Sequence, residues 1–168
     1  PGFYGDLTAL ILFLVASFTD FLDGMLARLL GEESKLGELL DPIADKIIVA
    51  AALILLVMDG TIRSYEVIAA IIILTREILV SGLREFLAEG KIKLPVSNLA
   101  KLKTVLQMVS IALLLSGETG NKIINFQDYN AQTIGIVLLW LSAALTLFTG
   151  YEYMRKGIDH AISEDNKD

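Results

Sequence analysis

Cysteine is absent from this 168-residue chain, which excludes disulfides and thiolate metal sites as a means of holding the fold. Histidine is nearly absent. The single imidazole, His160, lies in a polar C-terminal stretch with no neighbour at ligand spacing, so it is assigned no role. There are only three prolines, and Pro42 falls in the opening turns of an apolar stretch, where proline is tolerated. The chain therefore lacks the mid-span helix breaks that mark many transporters. It also shows no internal repeat, no linker to a second domain, and no basic segment followed by a cleavage site at its start.

What is present is apolar sequence. Hydrophobic residues make up 54% of the chain and the mean hydropathy is +0.62, above the range of an ordinary soluble domain. Five stretches are long enough to cross about 30 Å of hydrocarbon as helices: Leu7 to Leu30, Glu38 to Met58, Glu66 to Leu87, Leu99 to Ser116 and Gln132 to Tyr153. They predict an all-α integral membrane bundle of five transmembrane helices. It forms a single domain over residues 1–160, with a polar tail at 161–168. Membrane lipids are its surroundings.

The formal net charge of −6 argues against a nucleic-acid partner, but the charges are segregated. Arg28, Lys35, Arg84, Lys91, Lys93, Lys101, Lys103, Arg155 and Lys156 fall on one side of the predicted spans, and Arg63 and Lys122 on the other. The first side is expected to be cytoplasmic. The first span then enters from the outer side, which requires either an exported N-terminus or, as the favoured expectation, a further helix ahead of Pro1, making six in all.

Eight residues stand out inside the first two spans: Asp20, Asp23, Gly24, Ala27, Arg28, Gly37, Asp41 and Asp45. At average residue frequencies this pattern recurs by chance on the order of once in a billion placements. An Asp at the centre of a membrane helix costs roughly 2.5 to 3.5 kcal/mol, so four cost on the order of 10 kcal/mol without compensation. Asp20, Asp23, Gly24 and Ala27 share one helix face, and Gly37, Asp41 and Asp45 recur every four residues on the next. Clustered carboxylates are hard ligands suited to Mg²⁺ or Mn²⁺, whose shells are commonly completed by phosphate oxygens. A diphosphate substrate fits that chemistry. The competing reading is a carboxylate-lined ion transporter.

The eight residues resemble the signature of the CDP-alcohol phosphatidyltransferase family, with every fixed position filled. The resemblance implies a divalent-metal-dependent membrane enzyme that displaces CMP from a CDP-linked lipid by an alcohol. It further implies that Asp20, Asp23, Asp41 and Asp45 bind a metal pair, with Asp45 also the base. Gly24, Ala27, Arg28 and Gly37 would then accommodate the CDP-lipid. A bacterial cytoplasmic membrane, a catalytic face toward the cytoplasm and a homodimer are implied in the same way.

The acceptor must be read from the remaining polar residues. Arg76 lies deep in the third span beside Glu77, and Arg84 follows eight residues later on roughly the same side. Lys101, Lys103 and Thr104 open the next span, with Gln107 one turn on. Cationic anchoring at the membrane surface explains Arg84, Lys101 and Lys103 equally well, and an ion pair with Glu77 is open to Arg76. The segments TREILVSGLRE and LAKLKTVLQ resemble those of bacterial phosphatidylglycerophosphate synthases. That likeness implies CDP-diacylglycerol as donor and sn-glycerol 3-phosphate as acceptor, with Arg76, Arg84, Lys101, Lys103, Thr104 and Gln107 around the acceptor phosphate. Inositol phosphate, serine, or phosphatidylglycerol as in a cardiolipin synthase are the alternative acceptors; serine lacks a phosphate for these cations to bind.

Overall fold

The computed structural model describes residues 3–30, 35–89, 97–126 and 129–165; within its helices and strands, side chains 3, 4, 20, 21, 23–30, 35–42, 88, 89, 125, 126, 129, 156 and 159–165 lie outside the described set. Each predicted apolar stretch is helical: α1 Phe3–Leu30, α2 Lys35–Met58, α3 Glu66–Glu89, α4 Asn98–Leu115 and α6 Ala131–Asp165. Between the last two lie a short helix, α5 Gly117–Ile123, and a minimal hairpin of β1 Asn125–Phe126 with β2 Tyr129–Asn130. Sequence alone reads 117–130 only as a polar connection. Two-residue strands carry too little periodicity to register.

Local chemistry sets the helix limits. Between α2 and α3, Gly60 takes a positive φ of 80° and the Asp59 carboxylate accepts from the Thr61 amide at 2.8 Å. The Glu66 carboxylate in turn accepts from the Arg63 amide, satisfying a donor ahead of α3. Ser97 caps α4 by accepting from Ala100 N–H at 3.2 Å. Asn130 does the same for α6, accepting from the Thr133 amide at 2.8 Å.

The most extensive packing is that of α6 against α4 and α3, while α1 packs on α2 and α4. Small residues allow the close approach. A Cβ on Gly135 would lie 2.8 Å from the Leu114 side chain, and the Gly135 carbonyl accepts from Ser110 Oγ at 2.7 Å. Leu53, Leu56, Ile73, Ile111 and Leu139 fill the interior.

The outer surface is also apolar, with Leu12 64% and Ile78 69% exposed among many large hydrophobic side chains. An apolar surface of that extent is unfavourable in water and favourable against lipid. Among the described residues, α4 and the segment Ala131–Arg155 of α6 are long and apolar enough to cross a membrane. The α6 helix has 35 residues, about 52 Å at 1.5 Å per residue, so it outruns the hydrocarbon and continues past Tyr153, where the apolar stretch ends.

Candidate active site

Four helices surround a cavity of about 390 Å³. From α2 come Asp45, Lys46 and Val49, and from α3 come Arg76, Glu77, Val80 and Arg84. The α4 wall is Ala100, Lys103, Thr104, Gln107 and Met108, and α6 contributes Tyr153. The spacing explains the selection: residues three, four, seven or eight apart share a helical face. Lys101, two positions from Lys103, falls on the other side of α4, where it is exposed and does not line the cavity.

Arg76 is held from behind. Its Nη2 donates to Thr149 Oγ1 at 3.0 Å, and its guanidinium carbon lies 5.9 Å from the Tyr153 ring centroid. Gly150 leaves the space it occupies, since a Cβ there would come within 3.0 Å of Arg76 Cγ. The Arg76 side chain is only 11% exposed. A cation so buried requires the donor, ring and counter-charge around it.

That counter-charge is Glu77. Its Oε1 accepts from Lys103 Nζ and lies 3.5 Å from Arg76 Nη1, so one carboxylate oxygen serves cations from two helices. Two buried polar atoms here have no hydrogen-bond partner among the described residues: Arg76 Nε and Gln107 Oε1. Thr104 Oγ1 donates to the Ala100 carbonyl at 3.1 Å while lining the cavity.

The structure thus brings together Asp45, Arg76, Arg84, Lys103, Thr104 and Gln107, six of the residues singled out in sequence. The side chains of Asp20, Asp23, Gly24, Ala27, Arg28, Gly37 and Asp41 lie outside the described set, so the metal and CDP-lipid groupings stand on sequence except at Asp45. The helices that carry them, α1 and α2, pack on one another. Among the described residues no group of three metal-ligating side chains occurs.

Sequence reasoning missed Lys46, Thr149, the place of Tyr153 in the cavity wall and the shared role of Glu77. Thr149 and Tyr153 are one turn apart on α6, and that spacing was the only signal available.

Two further cavities occur among the described residues. An apolar groove of about 470 Å³ between α3 and α6 shares Arg76 and Val80 with it. At the other end of the bundle, a cavity of about 580 Å³ carries Asp6, Asp59 and Glu118, with no cation among its described lining residues.

Comparison with known proteins adds three findings. The profile of the CDP-alcohol phosphatidyltransferase family matches residues 3–148. A protein of Rickettsia bellii named CDP-diacylglycerol–glycerol-3-phosphate 3-phosphatidyltransferase is 44% identical over 145 residues, covering 86% of this chain and 76% of the relative. Proteins of the same name from Cereibacter sphaeroides and Haemophilus influenzae are 38% and 36% identical, covering 96% and 86% of this chain and 86% and 74% of the relatives.

Proposed function

The chain belongs to the CDP-alcohol phosphatidyltransferase family, and on that footing we propose that it transfers the phosphatidyl group of CDP-diacylglycerol to sn-glycerol 3-phosphate. The products are phosphatidylglycerol phosphate and CMP. The observation that carries this reading is the cavity in which Asp45 shares walls with Arg76, Arg84 and Lys103. A carboxylate suited to accept a proton lies across a small space from cations suited to a phosphate. Arg76 offers a guanidinium and Lys103 a point charge.

In this reading the cations hold the acceptor phosphate and Asp45 takes the proton of the attacking hydroxyl. The hydroxyl oxygen bonds to the phosphorus that carries the diacylglycerol, the diphosphate bridge breaks, and CMP departs. Burial of Arg76 and Lys103 excludes water from that wall, so the acceptor is oriented before it reacts.

Asp20, Asp23, Asp41 and Asp45 would hold one or two divalent ions, Mg²⁺ or Mn²⁺. Their fit rests on the donor set: hard oxygens three or four residues apart on two helices that pack together. When bound, such ions would offset charge developing on the leaving group.

The same reading places five spans in a bacterial cytoplasmic membrane, with the cavity facing the cytoplasm and a homodimer as the working unit. Support for the spans and their orientation comes from the apolar helices, the exposed apolar surface and the one-sided distribution of Lys and Arg; the homodimer rests on the family resemblance alone.

The test is CMP release by purified protein with CDP-diacylglycerol and a panel of glycerol 3-phosphate, inositol phosphate, serine and phosphatidylglycerol, with and without chelator. Release dependent on glycerol 3-phosphate and lost on chelation is expected. No release with any acceptor overturns the enzyme reading; release with another acceptor replaces the substrate.

A further inference from the structure

The two buried atoms of the cavity wall that lack a hydrogen-bond partner among the described residues, Arg76 Nε and Gln107 Oε1, are a donor and an acceptor. A phosphate monoester, largely doubly ionised at neutral pH, offers oxygens to the first and no proton to the second. We propose that Gln107 binds the hydroxyl of the acceptor that does not react, the C2 hydroxyl of glycerol 3-phosphate, and so makes the site prefer a polyol phosphate to a simple hydroxyalkyl phosphate. The proposal rests on the reading of Arg76, Arg84 and Lys103 as the acceptor-phosphate site.

Burial is the first argument. Gln107 is 3% exposed, and the wall that it shares carries Lys46, Arg76 and Lys103. Cations in the same wall favour the amide oxygen toward the cavity and the amide nitrogen away from it. A buried acceptor left unpaired is costly, so a ligand that brings a proton donor to it gains more than it would at a hydrated surface. The terminal amide torsion of glutamine is soft, and a small rotation presents the oxygen to a hydroxyl in the cavity.

Placement is the second. Counted from the helix ends on the cationic side of the bundle, Gln107 is the tenth residue of α4 and Asp45 the eleventh of α2, which sets them at comparable depth. Lys103 precedes Gln107 by four residues on the same face of α4, a step of about 6 Å along the axis. A three-carbon phosphate ester spans such a step. With its phosphate against Lys103 and its C1 hydroxyl at Asp45, the C2 hydroxyl lies between them on the side of Gln107. The C1 proton goes to Asp45 in the reaction as proposed, so the C2 hydroxyl is the one remaining donor of the acceptor.

The experiment uses the full chain in mixed micelles and reads kcat/KM for glycerol 3-phosphate relative to 3-hydroxypropyl phosphate, which keeps the phosphate and the primary hydroxyl and lacks only the C2 hydroxyl. The parent is expected to favour glycerol 3-phosphate by about 30-fold, the scale of a ligand hydroxyl paired with a buried acceptor. Gln107→Leu should bring the two acceptors to within about three-fold of each other, through loss with glycerol 3-phosphate and little change with the analogue. Gln107→Met, closer to glutamine in length and flexibility, serves if the leucine variant does not fold. A parent that does not distinguish the acceptors overturns the proposal without any variant. An equal loss for both acceptors in a folded variant also overturns it, and marks Gln107 as support for its neighbours in the wall. Arg76→Ala separates the two levels: an unchanged KM for glycerol 3-phosphate removes the acceptor-site reading and this inference with it. A raised KM there, with the parent's ratio retained in the Gln107 variants, removes the role of Gln107 alone.

Discussion

Asp45 and Arg76 face one cavity from different helices, and their loss should register on different kinetic constants. If Asp45 acts as the base, Asp45→Asn preserves shape and removes basicity, so kcat should fall by about 10²- to 10⁴-fold while CDP-diacylglycerol binding is largely retained. Unchanged turnover would remove the assignment. Arg76→Ala deletes a phosphate partner worth about 2 kcal/mol, so the KM for glycerol 3-phosphate should rise roughly 30-fold, with a smaller change for CDP-diacylglycerol. Equal changes for both substrates would mark a structural arginine. Both residues were legible in the sequence because an ionised group inside an apolar helix is costly and needs a reason. Glu77 was visible beside Arg76, but its contact with Lys103 joins α3 to α4, and sequence spacing carries no information about register between helices.

At the scale of the helix, a three-to-four-residue periodicity selects which face of α4 is buried. Lys103, Gln107 and Ser110 form a buried polar stripe there, and Lys101 lies off it. Hydrophobicity alone located the long helices, since predominantly apolar stretches of about twenty residues leave few alternatives. It could not show that Thr149, Gly150 and Tyr153 of α6 form the seat of Arg76, because small and aromatic residues in a membrane helix read equally well as packing. That seat has a testable consequence. A Cβ at Gly150 would press on Arg76 Cγ at 3.0 Å and on Nε at 3.4 Å. Gly150→Ala should displace the guanidinium and raise the KM for glycerol 3-phosphate several-fold with little loss of kcat, and Gly150→Val should do more, on the order of the 1–3 kcal/mol typical of overpacking. Placed in the Arg76→Ala background, the same change should add almost nothing, because the two residues act through one contact. Additive effects would show that Gly150 matters for helix packing in general and not for the arginine.

For the whole molecule, the decisive property is orientation. The cavity is lined by the early part of α4 and the late part of α6, whereas the acidic cavity lies where α2 and α4 end and α6 begins. On the proposed function, the cationic cavity opens toward the compartment that supplies glycerol 3-phosphate. The distribution of Lys and Arg predicts that this side is cytoplasmic, by a charge rule that holds over short loops. The absence of cysteine, which excluded disulfides and thiolate metal sites, also makes the assignment directly measurable, because a single introduced thiol reports against no other thiol in this sequence. Thr61 lies in the turn between α2 and α3, beyond the acidic end of the bundle, and Ser97 caps α4 at the cationic end. In intact spheroplasts a membrane-impermeant maleimide should label Thr61→Cys and leave Ser97→Cys unmodified until the membrane is opened. Thr61 is partly shielded, so exposed Arg63→Cys on the same turn provides a second reporter. Labelling of Ser97→Cys from outside, with protection of both turn positions, would invert the topology. The phosphate-binding wall would then face away from its substrate, and the assignment of Arg76, Arg84 and Lys103 to a cytoplasmic phosphate ester would fail with it.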